Sequence, residues 1–186
     1  MKSGDNMILK HKQCLELYNS DYMIKEKLKN NTLFKIEKGL YSTIKNYSYL
    51  EVILTKYPQA ILTMDSAFYY HALTDVIPEK YHLITSKDAY KIQDKNIKQY
   101  FIKDDYLNYG KETKVIHGIN MNIYSKERLL IELIRYKNKL PFDYYKEIID
   151  SYRKIIHELN LEKIEEYAYT LPKSQMVMNT IQMEVF

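Results

Sequence analysis

Lysines recur at Lys25, Lys27 and Lys29, two amides follow at Asn30 and Asn31, and further lysines stand at Lys35 and Lys38. This set suits one chemistry, the binding of a polyanion. An ammonium group meets a phosphate as a point charge, and a side-chain amide offers both donor and acceptor to a phosphate oxygen or a base edge. The charge of the surrounding segment agrees. Residues 1–50 hold nine lysines and five acids, whereas the remaining 136 residues hold nineteen bases and nineteen acids. The net +4 of the chain therefore lies in its first quarter. Because this segment has no arginine, the commonest guanine contact is missing. Phosphate attraction is then expected to supply most of the binding, and useful affinity is expected of a dimer on an inverted repeat.

Other chemistries find less support. Four glycines leave no room for a phosphate-binding loop or a dinucleotide fingerprint. The histidines at 11, 71, 82, 117 and 157 are scattered, and no two lie one helical turn apart, so no metal site is expected. Cys14, alone, cannot form an internal disulfide or a cysteine-rich zinc site. The best catalytic pair is His71 and Asp75 in "YYHALTDVIP". They meet as a base and its carboxylate only if their helix continues to Asp75. In the competing reading His71 is a hydrogen-bonded core residue and Thr74-Asp75 begins a turn. In "SKERLLIELIRYKNK", Leu129, Leu130, Leu133 and Ile134 form an apolar stripe. There Glu127, Arg128, Glu132 and Arg135 are spaced for ion pairs within a helix capped by Ser125, or for contact with a partner. No catalytic residue and no cofactor is assigned. Twenty tyrosines accompany abundant Lys, Ile and Asn, the mark of AT-rich coding, and carry no weight for base stacking.

The elements that must position the lysines can be read from spacing. Ile8, Leu9, Cys14, Leu15 and Tyr18 suit one helix face within Met7–Asn19. Ser20 or Asp21 caps a second helix with Tyr22, Ile24 and Leu28 expected inward. Asn30-Asn31 stops it, and "TLFKIEKGLYS" alternates before turning at Lys38-Gly39, a hairpin. A third helix follows in "NYSYLEVILTKYP", then a short buried strand at Ala60–Thr63 and a helix from Asp65 to about Leu73, capped by Asp65 or Ser66. The segment from Lys80 to Tyr124 is strand-rich. Helices are expected over Lys126–Asn138, Asp143–Asn160 and Glu162–Thr170, with Pro141 at an early helical position. The Met-rich tail from Met176 to Phe186 lacks strong helical period and suits an adaptable interface or a segment folded back. The chain is thus expected to be an α/β (α+β) protein with a winged helix-turn-helix module in residues 1–42 and a mixed sheet-and-helix domain in 43–186. No leader and no apolar run of about 18 residues is visible, so a cytoplasmic protein with no membrane partner is expected.

Three stretches in combination, "LFKIEKGLYS", "AILTMDSAFYYHALTDVIPEKYHLIT" and "YSKERLLIELIRYKNKLPFDYYKEIIDSYR", resemble the AbiEi-type antitoxins of type IV, abortive-infection toxin–antitoxin systems. The likeness runs from about Asp21 to Ala168. It implies a winged helix-turn-helix that binds the promoter of its own operon. It also implies a C-terminal domain that counteracts a nucleotidyltransferase-type toxin in phage defence, with no stable complex required. Carried onto this sequence, the operator-binding positions fall on Lys25–Asn31 and on the wing Lys35–Lys38, and Glu127, Arg128 and Glu132 match an acid-Arg…acid helix pattern. The family's first module commonly has a further helix, for which this chain offers only Met7–Asn19; without that helix the module is abbreviated. Two other readings stand beside this one. One is an interaction module that neutralises its partner by direct contact. The other is an enzyme that modifies the toxin or a nucleic acid through His71 and Asp75.

Overall fold

The structure is a computed structural model that describes residues 8–116 and 118–186. The polar start of the chain and His117 lie outside the described residues. The chain divides into two compact units, Met1–Pro58 and Gln59–Phe186.

In the first unit, strand β1 (Ile8–Lys10) leads into helix α1 (His11–Tyr18), then helix α2 (Asp21–Lys29). Strands β2 (Phe34–Glu37) and β3 (Leu40–Ser42) form a hairpin, and helix α3 (Tyr49–Lys56) closes the unit. The three strands make an antiparallel sheet in the order β1-β3-β2, with Leu9 opposite Tyr41. The stretch expected to begin a helix, Ile8–Lys10, is therefore a strand. The hairpin edge supplies its backbone partners, and α1 starts only at His11, where the Gln13 side chain accepts the Lys10 N–H at 2.8 Å. Helix α1 stops because Asn19 turns left-handed, with φ 65°, and returns its N–H to the Leu15 carbonyl. Ser20 then caps α2 by accepting the Met23 N–H at 3.2 Å. Leu9, Cys14, Ile24, Leu33 and Tyr41 form the core. Helix α3 turns Leu50, Val52 and Ile53 inward and packs on β1. It therefore belongs to this unit, and the division falls after Pro58 rather than after Ser42. Two helices joined by a tight turn are thus followed by a hairpin.

The second unit is built on a five-stranded mixed sheet. Its strands are β4 (Ile61–Leu62), β5 (Tyr81–Ser86), β6 (Ile97–Ile102), β7 (Lys111–Ile116) and β8 (Ile119–Tyr124), in the order β6-β5-β4-β8-β7. Helix α4 (Met64–Tyr70) follows β4, and a single turn, α5 (Asp104–Leu107), follows β6. Four helices complete the chain: α6 (Lys126–Arg135), α7 (Phe142–Ile155), α8 (Leu161–Thr170) and α9 (Ser174–Glu184). Every residue of α6 from Arg128 to Ile134 is buried, which makes it the central helix, and α4, α8 and α9 pack against it. The fold is α+β. Helix α4 ends earlier than its apolar run suggests, because Ala72 adopts φ 55°, and its cap position is Thr63 rather than Asp65 or Ser66. Helices α6 and α7 also end short of Asn138 and Asn160, each running into a single tighter turn. The Met-rich tail is helical, with Val177, Ile181 and Val185 buried at successive four-residue steps. Among the described residues no helix is long and apolar enough to cross a membrane.

Candidate nucleic-acid interface

Helix α2 buries Ile24 and half-buries Leu28, one turn apart. This places Lys25 and Lys29 on the exposed side, as the spacing predicts. Lys27 is half-buried on the flank, its ammonium 5.9 Å from the centre of the Tyr18 ring. The helix ends through Asn31, which adopts φ 54°, while the Lys27 carbonyl accepts the N–H groups of Thr32 and Leu33. Asn30 and Asn31 are both exposed at this corner. The wing follows at once. In β2, Phe34 and Ile36 are half-buried while Lys35 and Glu37 are exposed, and a bulge between Lys35 and Glu37 bends the strand. Lys38 is exposed at the tip, next to Gly39 with φ 78°.

The electrostatics of this face follow from which charges are already paired. Asp21 lies 3.2 Å from His11, and Glu37 lies 3.0 Å from Lys56. Among the described residues no ion pair engages Lys25, Lys27, Lys29, Lys35 or Lys38. These ammonium groups remain available to an external anion. Spacing anticipates the exposure of Lys25 and Lys29, but it misplaces one neighbour. Tyr22, expected inward, is 69% exposed, and Met23 beside it is 41% exposed. Tyr22 is two residues from Ile24, about 200° around the helix, so burying Ile24 turns the tyrosine out.

The other constellations resolve into structural roles. The Nε2–H of His71 donates to the Tyr124 carbonyl at 2.8 Å, and its Nδ1 faces the Lys114 ammonium at 3.5 Å. Burial, together with the Lys114 charge, holds the His71 pKa down at about 4. Asp75 lies exposed beyond the end of α4. The helix that would join the two is not formed, and His71 fastens α4 to β8 instead.

Arg128 is fully buried. It donates to Glu132 Oε1 through Nε at 2.9 Å and Nη2 at 2.7 Å, and to the carbonyls of Tyr106 and Tyr109 through Nη1. Its guanidinium carbon lies 4.4 Å from the centre of the Tyr124 ring. Arg135 shares the same carboxylate oxygen at 2.7 Å. The acid-Arg…acid pattern therefore builds the core rather than a surface for a partner. Glu127 supports the neighbouring chain by accepting the Asn160 N–H at 3.1 Å.

A cleft of about 630 Å³ in the second unit is lined by Asp65, Lys80, His82, Lys98, Lys139 and Tyr144 among others. Sequence spacing does not reveal it, because its residues come from separated elements. His82 accepts the Asp65 N–H through Nδ1 at 3.3 Å and directs Nε2 toward Asp65 Oδ2 at 3.5 Å. Burial, helped by Lys98 and Lys80, lowers its pKa to about 3, and burial raises that of Asp65. With both ring nitrogens turned to Asp65, His82 is occupied in holding the start of α4. Among the described residues no cluster of histidine, cysteine and carboxylate groups is arranged to hold a metal ion.

No protein-family model matches the chain, and a search of curated proteins finds no match. Among solved structures the chain is similar to the RV2827C protein from Mycobacterium tuberculosis, at 12% identity and a TM-score of 0.66, over 95% of this chain and 71% of that one. At that identity the likeness concerns the fold. The chain shares an α+β architecture with a solved protein.

Proposed function

We propose that the first unit binds duplex DNA at the promoter of its own operon, and that the chain is a cytoplasmic, non-enzymatic antitoxin of the type IV kind. The supporting observation is the set of exposed, unpaired lysines on α2 and the wing. Helix α2 enters the major groove with Lys25 and Lys29 near the phosphates, and Lys35 and Lys38 bring the wing against the adjoining backbone. Asn30 and Asn31 reach a phosphate or a base edge from the corner. Two copies on an inverted repeat bring the affinity into a useful range. The antitoxin role rests on the sequence resemblance, which assigns the counteraction of a nucleotidyltransferase-like toxin to the second unit as a whole.

The double substitution Lys25→Glu, Lys29→Glu tests the DNA reading. Promoter binding in a gel shift is expected to vanish while the melting temperature stays nearly unchanged, since both side chains are exposed. Unaltered affinity would reject the assigned surface. A second reading, neutralisation of the toxin by direct contact, is favoured by Met183 and Phe186, which stand 82% and 68% exposed at the end of α9. Co-purification of toxin and antitoxin at high salt would favour it over action without a stable complex.

A further inference from the structure

The lysines supply attraction to any duplex, and the chain has only three arginines, Arg128, Arg135 and Arg153, all in the second unit. Discrimination between operator and other DNA must then come from other side chains, the corner amides Asn30 and Asn31 or the uncharged residues of α2. The first turn of a recognition helix is the part that meets base edges. In α2 that turn carries Tyr22 and Met23, two large apolar side chains turned away from the core. Such groups have one favourable contact in the major groove, the 5-methyl group of thymine. Glu26 recurs four residues from Tyr22 and shares its stripe. The Glu26 carboxylate repels phosphates and fits opposite the exocyclic amino group of an adenine or a cytosine, which keeps this stripe over bases rather than over backbone. Lys25 and Lys27 flank it on either side, toward the phosphate rails.

We propose that Tyr22 and Met23 are the specificity-determining residues of α2, each seated against a thymine methyl, so that the preferred half-site is rich in A·T pairs where the first turn docks. This rests on the DNA reading above and adds to it the sequence class that is read.

Fluorescence anisotropy with two duplexes tests it: the chain's own promoter, and the same duplex with every thymine replaced by deoxyuridine. The replacement keeps pairing and charge and removes only the methyl groups. Wild-type protein is expected to bind the deoxyuridine duplex about fourfold more weakly per lost methyl contact, about 15-fold for the two contacts of each bound copy. The Tyr22→Ala, Met23→Ala variant is expected to lose about the same factor on the thymine duplex and to treat both duplexes alike. Equal wild-type affinity for both duplexes, with binding still dependent on Lys25 and Lys29, would overturn the assignment and leave the DNA reading intact. No binding to either duplex would overturn both. If size-exclusion chromatography shows the variant dissociating a wild-type dimer in the absence of DNA, the two side chains serve a protein interface and the assignment fails.

Discussion

At the scale of single residues, the second unit depends on charges held away from water. Glu132 neutralises the fully buried Arg128 while also serving Arg135. Glu132→Gln should therefore destabilise the fold by about 3–5 kcal/mol, because it leaves a buried guanidinium without its counter-charge. Urea unfolding at neutral pH measures this. Two glycines with similar backbones separate strain from sterics. Gly39 has φ 78° and open space where a Cβ would sit, so Gly39→Ala should cost only the left-handed penalty, about 1 kcal/mol. Gly110 has φ 69°, but its Cβ would meet the Arg128 Cβ at 2.5 Å. Gly110→Ala must also displace the buried arginine and should be the more damaging change. Equal losses would refute the close approach. His71 and His82 add a pH dependence of definite sign. Both are held neutral in the folded state, at about 4 and about 3, against an ordinary value of 6.5. The unfolded chain binds the extra protons, so stability is full above pH 6.5 and falls as the pH drops toward the folded values. At pH 5 the loss is about 2 kcal/mol for each histidine. His71→Gln keeps a donor for the Tyr124 carbonyl and removes the titration. Its stability should fall less between pH 8 and pH 5, by about that amount, and an unchanged fall would contradict the assignment.

At the scale of elements, the first unit is the part most legible in the sequence. Local chemistry determines each of its junctions: Ser20 caps α2, Asn31 ends it, and Lys38-Gly39 turns the wing. The lysines that follow from those elements stand where their spacing puts them. Structure departs from local pattern where tertiary partners decide the outcome. Ile8–Lys10 follows a helical apolar pattern but becomes a strand because β3 offers it an edge. The boundary expected near Ser42 gives α3 to the second unit, whereas its buried face belongs to the first. Helix α9 had a readable signal in Val177, Ile181 and Val185, obscured by the methionines between them. Tyr22 has the character of a core residue, but its angle from the buried Ile24 turns it to solvent. His71 and Asp75 look like a catalytic pair only while α4 is assumed to pass Ala72. Neither the cleft around Asp65 nor the Arg128 cage was legible, since their walls come from strands and helices far apart in the chain. The wing makes its own prediction. Lys35→Glu with Lys38→Glu should weaken promoter binding less than the change on α2 weakens it, because a wing on the backbone adds contacts without carrying the groove insertion. A stronger effect from the wing would exchange the roles of the two elements.

At the scale of the whole molecule, the charge surplus and the second unit's fold separate cleanly. Extending the first unit to Pro58 adds Glu51 and Lys56 together, so it retains the entire +4 while the second unit is neutral. Repression and antitoxicity should separate in the same way, with the α2 lysine variant still rescuing growth from the toxin. Loss of rescue along with DNA binding would join the two functions. The salt dependence of promoter affinity tests the central claim, that unpaired lysines of the first unit neutralise duplex phosphates. About four contacts per copy predict a plot of log affinity against log salt that is linear with a slope near −3.6 per bound copy, falling to about −1.8 per copy when Lys25 and Lys29 are replaced by neutral glutamines. A slope near zero, or one that those substitutions leave unmoved, would contradict it.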